Sequence, residues 1–307
     1  MCIKRFFHNA NIALVLIIVF TTGSAFSADQ NPVNFPELSK YAGFANATYQ
    51  TEPKIRELGA SKGYALTQYS NITEIQISYF LLTDDTAKKQ IIAVRGTSNV
   101  ENAIVDVAFK LTLDKHTGVY LHNGFSHAAR EIYDEIKPQL KTDYEISTTG
   151  HSLGGAVAVI LAMYLDIDDF EVGQVITFGQ PKVTNIAGAN KFQHLKHTRV
   201  VTQKDLVPLV PPFDLVDISS PDIYWHSGKE IILLPDADYA ILEGMDSMLR
   251  ATRFTQQPLD ENNLKNHQMT LYIELLDKKI ATARLVPFEN SFNLFNLFGD
   301  KESDTSK

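Results

Sequence analysis

The stretch 144–165, YEISTTGHSLGGAVAVILAMYL, limits what this chain can fold into more than any other part of it. Inside it, Gly150-His151-Ser152-Leu153-Gly154 is a G-x-S-x-G pentapeptide. At ordinary Gly and Ser frequencies a chain of this length yields roughly 0.1 such pentapeptides by chance, so the flanks decide its meaning. Residues 144–149 predict a short strand, and residues 154–165 predict an almost wholly apolar helix. A strand passing through a sharp Gly-flanked turn into a helix is the setting of a nucleophile elbow. Glycines on both sides let the backbone turn where a β-carbon would obstruct it. Ser152 then projects from the turn above the helix N-terminus, whose dipole and unbonded amides suit an oxyanion. The competing reading is a Gly-rich turn between two buried elements.

Strands and helices alternate around this stretch. Helical patterns cover residues 36–49, 52–58 and 126–140, and strand patterns cover 64–69, 75–82, 90–94, 174–178 and 197–201. Residues 108–113 predict a short edge strand. Residues 224–234 predict one strand interrupted at Gly228, and 236–253 and 261–277 predict helices. The order predicts one α/β domain with a mostly parallel sheet and helices on both faces. Hydrophobic content of 44% against 21% charged residues fits a sizeable core, and a formal net charge of −8 argues against nucleic acid as a partner. It does not bear on uncharged lipids.

The first residues carry a different signal. Lys4 and Arg5, the apolar run 12–20 and the small residues around Ala25-Phe26-Ser27 predict a signal peptide over residues 1–27. The domain is expected over 28–300, with a polar disordered tail over 301–307. Cys2, the only cysteine, lies inside the predicted signal, so disulfides, thiol chemistry and cysteine ligands are not expected in the mature chain. Residues 288–298 (FENSFNLFNLF) predict a segment docked on the core, with a lipid-touching patch as the alternative.

A serine nucleophile needs a base within reach and an acid to orient that base. In α/β-hydrolases the chain order is serine, acid, histidine. Asp205 is the acid candidate, in a loop after the strand 197–201 and ahead of Pro208, Pro211 and Pro212; Asp214 and Asp217 are its rivals. The base candidates are His267, near the start of the late helix, and His226, on or beside a strand and so more readily structural. His122 and His151 precede the acid and are excluded as base, although either can line the site; His151 can also support the elbow. For the oxyanion, the amide after the nucleophile is that of Leu153. Arg95-Gly96-Thr97, at the end of another strand, supplies the second candidate donor in Thr97, against a reading of that tripeptide as an ordinary capped turn.

These residues together resemble the class 3 lipase family, best known from secreted fungal triacylglycerol lipases. Five blocks stand in the family's order between about Gln90 and Ile273: IAVRGT ending at Thr97, LHNGF ending at Phe125, GHSLGGA ending at Ala156, ITFGQP ending at Pro181, and the segment 199–212 with Asp205. The block around His226, and then His267 with Tyr272, follow. The resemblance implies an α/β-hydrolase fold and an ester hydrolase with Ser152, Asp205 and His267 as its triad. It implies Thr97 and Leu153 as oxyanion donors, and a structural role for the His226 block. The implied substrate is a lipid or other ester, met in solution or at a lipid–water interface, with no metal, cofactor or obligatory protein partner. A secreted or periplasmic location follows from the predicted signal. The family's lid, which usually carries a tryptophan, corresponds to residues 99–107; here position 103 is Ala103 and no tryptophan is present, which counts against strong interfacial activation.

Overall fold

The computed structural model describes residues 33–73, 76–96, 110–211, 223–251 and 265–288. Its centre is a nine-stranded sheet in the order β1-β2-β3-β6-β7-β9-β11-β12-β13. The strands are β1 (Ala65–Ile72), β2 (Ile77–Asp84), β3 (Lys89–Val94), β6 (Glu145–His151), β7 (Val172–Phe178), β9 (Lys196–Thr202), β11 (Lys229–Leu233), β12 (Asp238–Leu242) and β13 (Arg284–Leu285). From β3 through β11 every neighbouring pair is parallel. Antiparallel pairs extend the sheet at β1–β2–β3 and at β11–β12. The inner strands are buried along nearly their whole length because both faces are covered.

Alternate residues of one strand feed two cores. Leu81, Ile92, Val94, Ile146 and Val175 face α3 (Asn123–Ile136) and α4 (Leu153–Ile167). Phe80, Leu82, Ile91, Ala93, Ile176 and Phe178 face α1 (Phe35–Ala47) and α7 (Met269–Ile280). α2 (Glu52–Ser61) leads into β1. Helix α4 is buried on all sides from Gly154 to Leu165, which explains its unbroken apolar run. The fold is therefore the expected mostly parallel sheet with helices on both faces.

Four stretches differ from the sequence reading. Residues 224–234 form two strands in two sheets: β10 (Tyr224–Trp225) and β11, separated at Gly228. Gly228 has φ +71, and a β-carbon there would lie 2.5 Å from the His197 carbonyl oxygen, so the chain turns where only glycine fits. The predicted helix over 236–253 is instead the strand β12 followed by α6 (Gly244–Ala251). Pro235 and Asp236 (φ 53) turn the chain back, and Tyr239 and Ala240 bury in an antiparallel pair with β11. Residues 111–113 form β4 (Leu111–Leu113) in a second sheet, ordered β10-β8-β5-β4, with β5 (Tyr120–His122) and β8 (Thr184–Asn185). The short helix α5 (Ile186–Lys191) after β8 was also not anticipated.

Phe288, half-buried, packs against Val201, Ile232, Ala240 and Leu242. The rest of the Phe-rich segment, the predicted signal and the polar tail lie outside the described residues. Among the described residues no helix is long and apolar enough to cross a membrane.

Candidate active site

Ser152 stands between the central strand β6 and the buried helix α4, with φ 58 and ψ −130. That left-handed backbone costs a non-glycine residue about 1–3 kcal/mol and persists only where its surroundings impose it. The neighbours do so here. A β-carbon at Gly150 would lie 2.4 Å from the Gly154 carbonyl oxygen, and one at Gly154 would lie 2.3 Å from that of Val94. Both glycines are thus required for β6, α4 and β3 to meet at the turn. The Ser152 amide donates to the Phe178 carbonyl at 2.9 Å, fastening the elbow to β7. The next amide, that of Leu153, opens α4 and has no carbonyl one turn back to bond. A helix N-terminus with an uncommitted amide suits a negative charge beside Ser152.

Asp205 follows β9 and is completely buried. Its Oδ1 accepts the Val207 amide at 2.9 Å, and its Oδ2 accepts His267 Nδ1–H at 2.7 Å and the Tyr272 hydroxyl at 2.5 Å. The carboxylate can only accept, so the proton of a neutral His267 sits on Nδ1 and Nε2 carries the lone pair. Tyr272 comes from α7, and burial followed by the Asp205 charge raises its phenol well above the usual range, so it stays a donor. His267 Nε2 and Ser152 Oγ are both buried, and neither has a hydrogen-bond partner among the described residues. The site therefore brings together a hydrogen-bonded carboxylate–imidazole pair and an uncommitted hydroxyl.

The loops carrying these groups are held from below. Lys182 Nζ donates to the Leu209 and Pro211 carbonyls, each at 2.5 Å, and its amide donates to Val210 at 3.0 Å. Burial and then the Arg199 charge lower the Lys182 ammonium to about 7. His226 Nε2–H donates to the Pro208 carbonyl at 2.7 Å. His226 thus supports the acid loop, and its ring is not bonded to Asp205. On the other side, the Thr202 hydroxyl donates to the Asn266 carbonyl at 2.8 Å, tying the base segment to the end of β9. Arg250 reaches the Thr202 carbonyl at 3.1 Å while pairing with Glu230 at 2.6 Å. Arg199, 3.7 Å from Glu230, completes a buried ion cluster beneath the site.

The other expected residues fall as follows. Gly96 packs beside the elbow, where a β-carbon on it would lie 3.1 Å from Ser152 Cβ. Thr97 itself lies outside the described residues, as do Asp214, Asp217 and the stretch 99–107. His122 caps α3 by accepting the Phe125 amide at 3.3 Å and stacks on the Phe125 ring; burial lowers it to about 4. His151 lies beneath the elbow and bonds Tyr49 and the His267 backbone. Sequence reasoning missed Gly179, Lys182 and Tyr49. A glycine directly after a strand end, in the ITFGQP block, is a usable signal for the first. A buried lysine and a tyrosine about a hundred residues from the elbow leave none. Among the described residues no group of three or more His, Cys, Asp or Glu side chains could hold a metal ion.

Residues 91–215 match the family described as Lipase (class 3). The chain is 33% identical over 180 residues to secreted mono- and diacylglycerol lipase 1 of Fusarium solani, an alignment covering 56% of this chain and 53% of that one. It is 32% identical over 156 residues to a lipase of Rhizomucor miehei, covering 46% and 42% respectively. The chain spans about half the length of the curated relatives it matches. In three dimensions it is similar to lipase II of Rhizopus niveus, with a TM-score of 0.58 and 23% identity over 67% of this chain and 83% of that one.

The parallel sheet with an elbow at the end of its central strand and functional loops at the following strand ends is the α/β-hydrolase fold. Within that fold, the match over 91–215 and the fungal relatives make the chain similar to the class 3 lipases.

Proposed function

We propose that this chain is a secreted serine ester hydrolase acting on acylglycerols or related lipid esters. The observation that carries the reading is the buried Asp205–His267 bond at 2.7 Å, which leaves His267 Nε2 uncommitted, while the Ser152 hydroxyl is likewise buried with no hydrogen-bond partner among the described residues. The match of residues 91–215 to the class 3 lipase family and the lipase names of the relatives support the substrate class. The predicted signal peptide, and a relative named as secreted, support export. One domain over residues 28–300 is part of the same proposal.

In the first half-reaction, Ser152 Oγ attacks the ester carbonyl carbon while its proton passes to His267 Nε2. Asp205 keeps the Nδ1 proton in place and stabilises the imidazolium. The Leu153 amide receives the oxyanion, together with a donor from Thr97. As the tetrahedral intermediate collapses, His267 returns the proton to the departing alkoxide and an alcohol leaves. Water then enters, loses a proton to His267 and attacks the acyl carbon. Collapse releases the carboxylic acid, and Ser152 recovers its proton. Every step uses side chains, backbone amides and water.

The test is hydrolysis of p-nitrophenyl esters from acetyl to palmitoyl by the wild type and Ser152→Ala. Activity peaking at medium or long chains and lost in the variant supports a lipase. A peak at acetyl points to a short-chain esterase, and activity confined to phospholipid or feruloyl esters moves the assignment to those substrates. A folded protein inert on all of them points to a lipase-like binding protein.

A further inference from the structure

His151 precedes the candidate nucleophile, lies at the end of β6 and is 4% exposed. Its Nε2 is 2.7 Å from the backbone carbonyl oxygen of His267, and its Nδ1 is 2.8 Å from the Tyr49 hydroxyl. These partners fix the protons. A carbonyl only accepts, so Nε2 must carry hydrogen. Burial, followed by the nearby His267 ring, lowers His151 well below the ordinary histidine range, so the ring is neutral and Nδ1 must accept. The Tyr49 hydroxyl is then the donor. Burial pushes its phenol up to about 12. A β-carbon on Gly96 would lie 2.7 Å from the Tyr49 hydroxyl oxygen and 2.6 Å from the His151 carbonyl, so the three residues meet with no room to spare.

We propose, resting on the hydrolase reading above, that Tyr49 and His151 are positioning residues: a one-directional hydrogen-bond chain runs from the Tyr49 hydroxyl through the His151 ring to the His267 carbonyl and sets the reach between Ser152 and His267. It ties the nucleophile segment to the base segment, and Gly96 packs against both Tyr49 and His151. Gly96 precedes the candidate oxyanion residue, His151 precedes the nucleophile, and the His267 backbone carries the base. The His151 and His267 rings are 4.5 Å apart at centroid. A neutral His151 leaves room for the imidazolium that forms on His267, whereas a charged one would oppose it. The Nδ1-accepting tautomer enforced by Tyr49 keeps the nearer ring neutral and its donor aimed at the base segment.

The experiment compares Tyr49→Phe, His151→Leu and His151→Gln in the full chain. It measures kcat and KM on a soluble p-nitrophenyl ester, the fluorophosphonate labelling rate and thermal stability, with Ser152→Ala as control. Misplacing reacting groups by about 1 Å can cost about 100-fold in rate. His151→Leu is expected to lose about that much of kcat and of labelling rate, and Tyr49→Phe about 10-fold, both with KM within about twofold of wild type. In His151→Gln the amide can donate to the His267 carbonyl while its oxygen accepts from Tyr49, so most of the rate should return. Folded Tyr49→Phe and His151→Leu proteins with wild-type kcat, differing only in melting temperature, would overturn the proposal and leave a packing role. So would a His151→Gln variant no better than His151→Leu. If instead Ser152→Ala retains activity, the hydrolase reading itself fails.

Discussion

Gly179 stands directly against His267: a β-carbon built on this glycine would lie 2.7 Å from the imidazole Cε1 and 2.8 Å from Nδ1. The same atom would lie 3.0 Å from Asp205 Oδ2. With φ +59, Gly179 closes β7 in a backbone conformation that side chains rarely adopt, and so leaves room for the acid–base pair. Gly179→Ala is expected to lower kcat about 100-fold by displacing the imidazole, and stability by about 1–2 kcal/mol from the left-handed backbone. Steady-state kinetics with a thermal melt checks both. An alanine variant with unchanged kcat would mean that the ring can shift without consequence.

Asp205 and Tyr272 should differ sharply in their effects. Asp205→Asn changes the partner of His267 Nδ1 and with it the tautomer, for which a loss of about 10⁴ in kcat is expected. Tyr272→Phe removes one of three donors to the carboxylate and leaves the His267 and Val207 bonds in place. A loss of about 10-fold is expected there, in line with about 1.5 kcal/mol for a hydrogen bond to a charged group. Comparable losses in the two variants would contradict the division of roles.

Glu230 lies between Arg199 and Arg250, and all three are at most 2% exposed. Glu230→Ala leaves two buried guanidiniums without their counter-charge, for which about 3–5 kcal/mol of lost stability is expected. Because Arg250 also holds the end of β9, activity should fall along with the melting temperature. Urea unfolding of wild type and variant measures the loss.

Acid should destabilise the fold through its buried histidines. His197 bonds Ser227 and Gln180, and burial lowers it to about 3; burial lowers His122 to about 4. Both folded-state values lie below the unfolded value near 6.5, so between these limits the unfolded chain binds more protons and stability falls as pH falls. For His197 alone the loss at pH 5 relative to neutrality is about 2 kcal/mol. Chemical denaturation at pH 7 and pH 5 should show a smaller difference for His197→Gln than for wild type. Equal pH dependence in the two proteins would mean that His197 does not carry it.

The elbow and the α/β order were legible because their signals are local. Gly150, Ser152 and Gly154 lie within five residues, and the strands β3 and β7 carry apolar, β-branched runs of the right length. The exchange of strand for helix at residues 238–242 arose because DYAIL has helix and strand readings alike, and only the turn at Pro235 and Asp236 and the pairing with β11 decide it. Of the small sheet, the edge strand β4 falls within the expected 108–113, but β5 and β8 were missed because two- and three-residue strands carry no periodicity. In the site, chain order brought forward Ser152, Asp205 and His267 as candidates. The supports had no such handle: Tyr49, Lys182 and Thr202 act through backbone carbonyls or a neighbouring ring, across separations that no motif spans.

Covalent capture of Ser152 tests the central claim most directly. A fluorophosphonate probe should label the wild-type chain at neutral pH, with the adduct mapped by mass spectrometry to Ser152. Labelling should vanish in Ser152→Ala and slow by orders of magnitude in Asp205→Asn. An unlabelled but folded wild-type protein, or an adduct on another residue, would contradict the account.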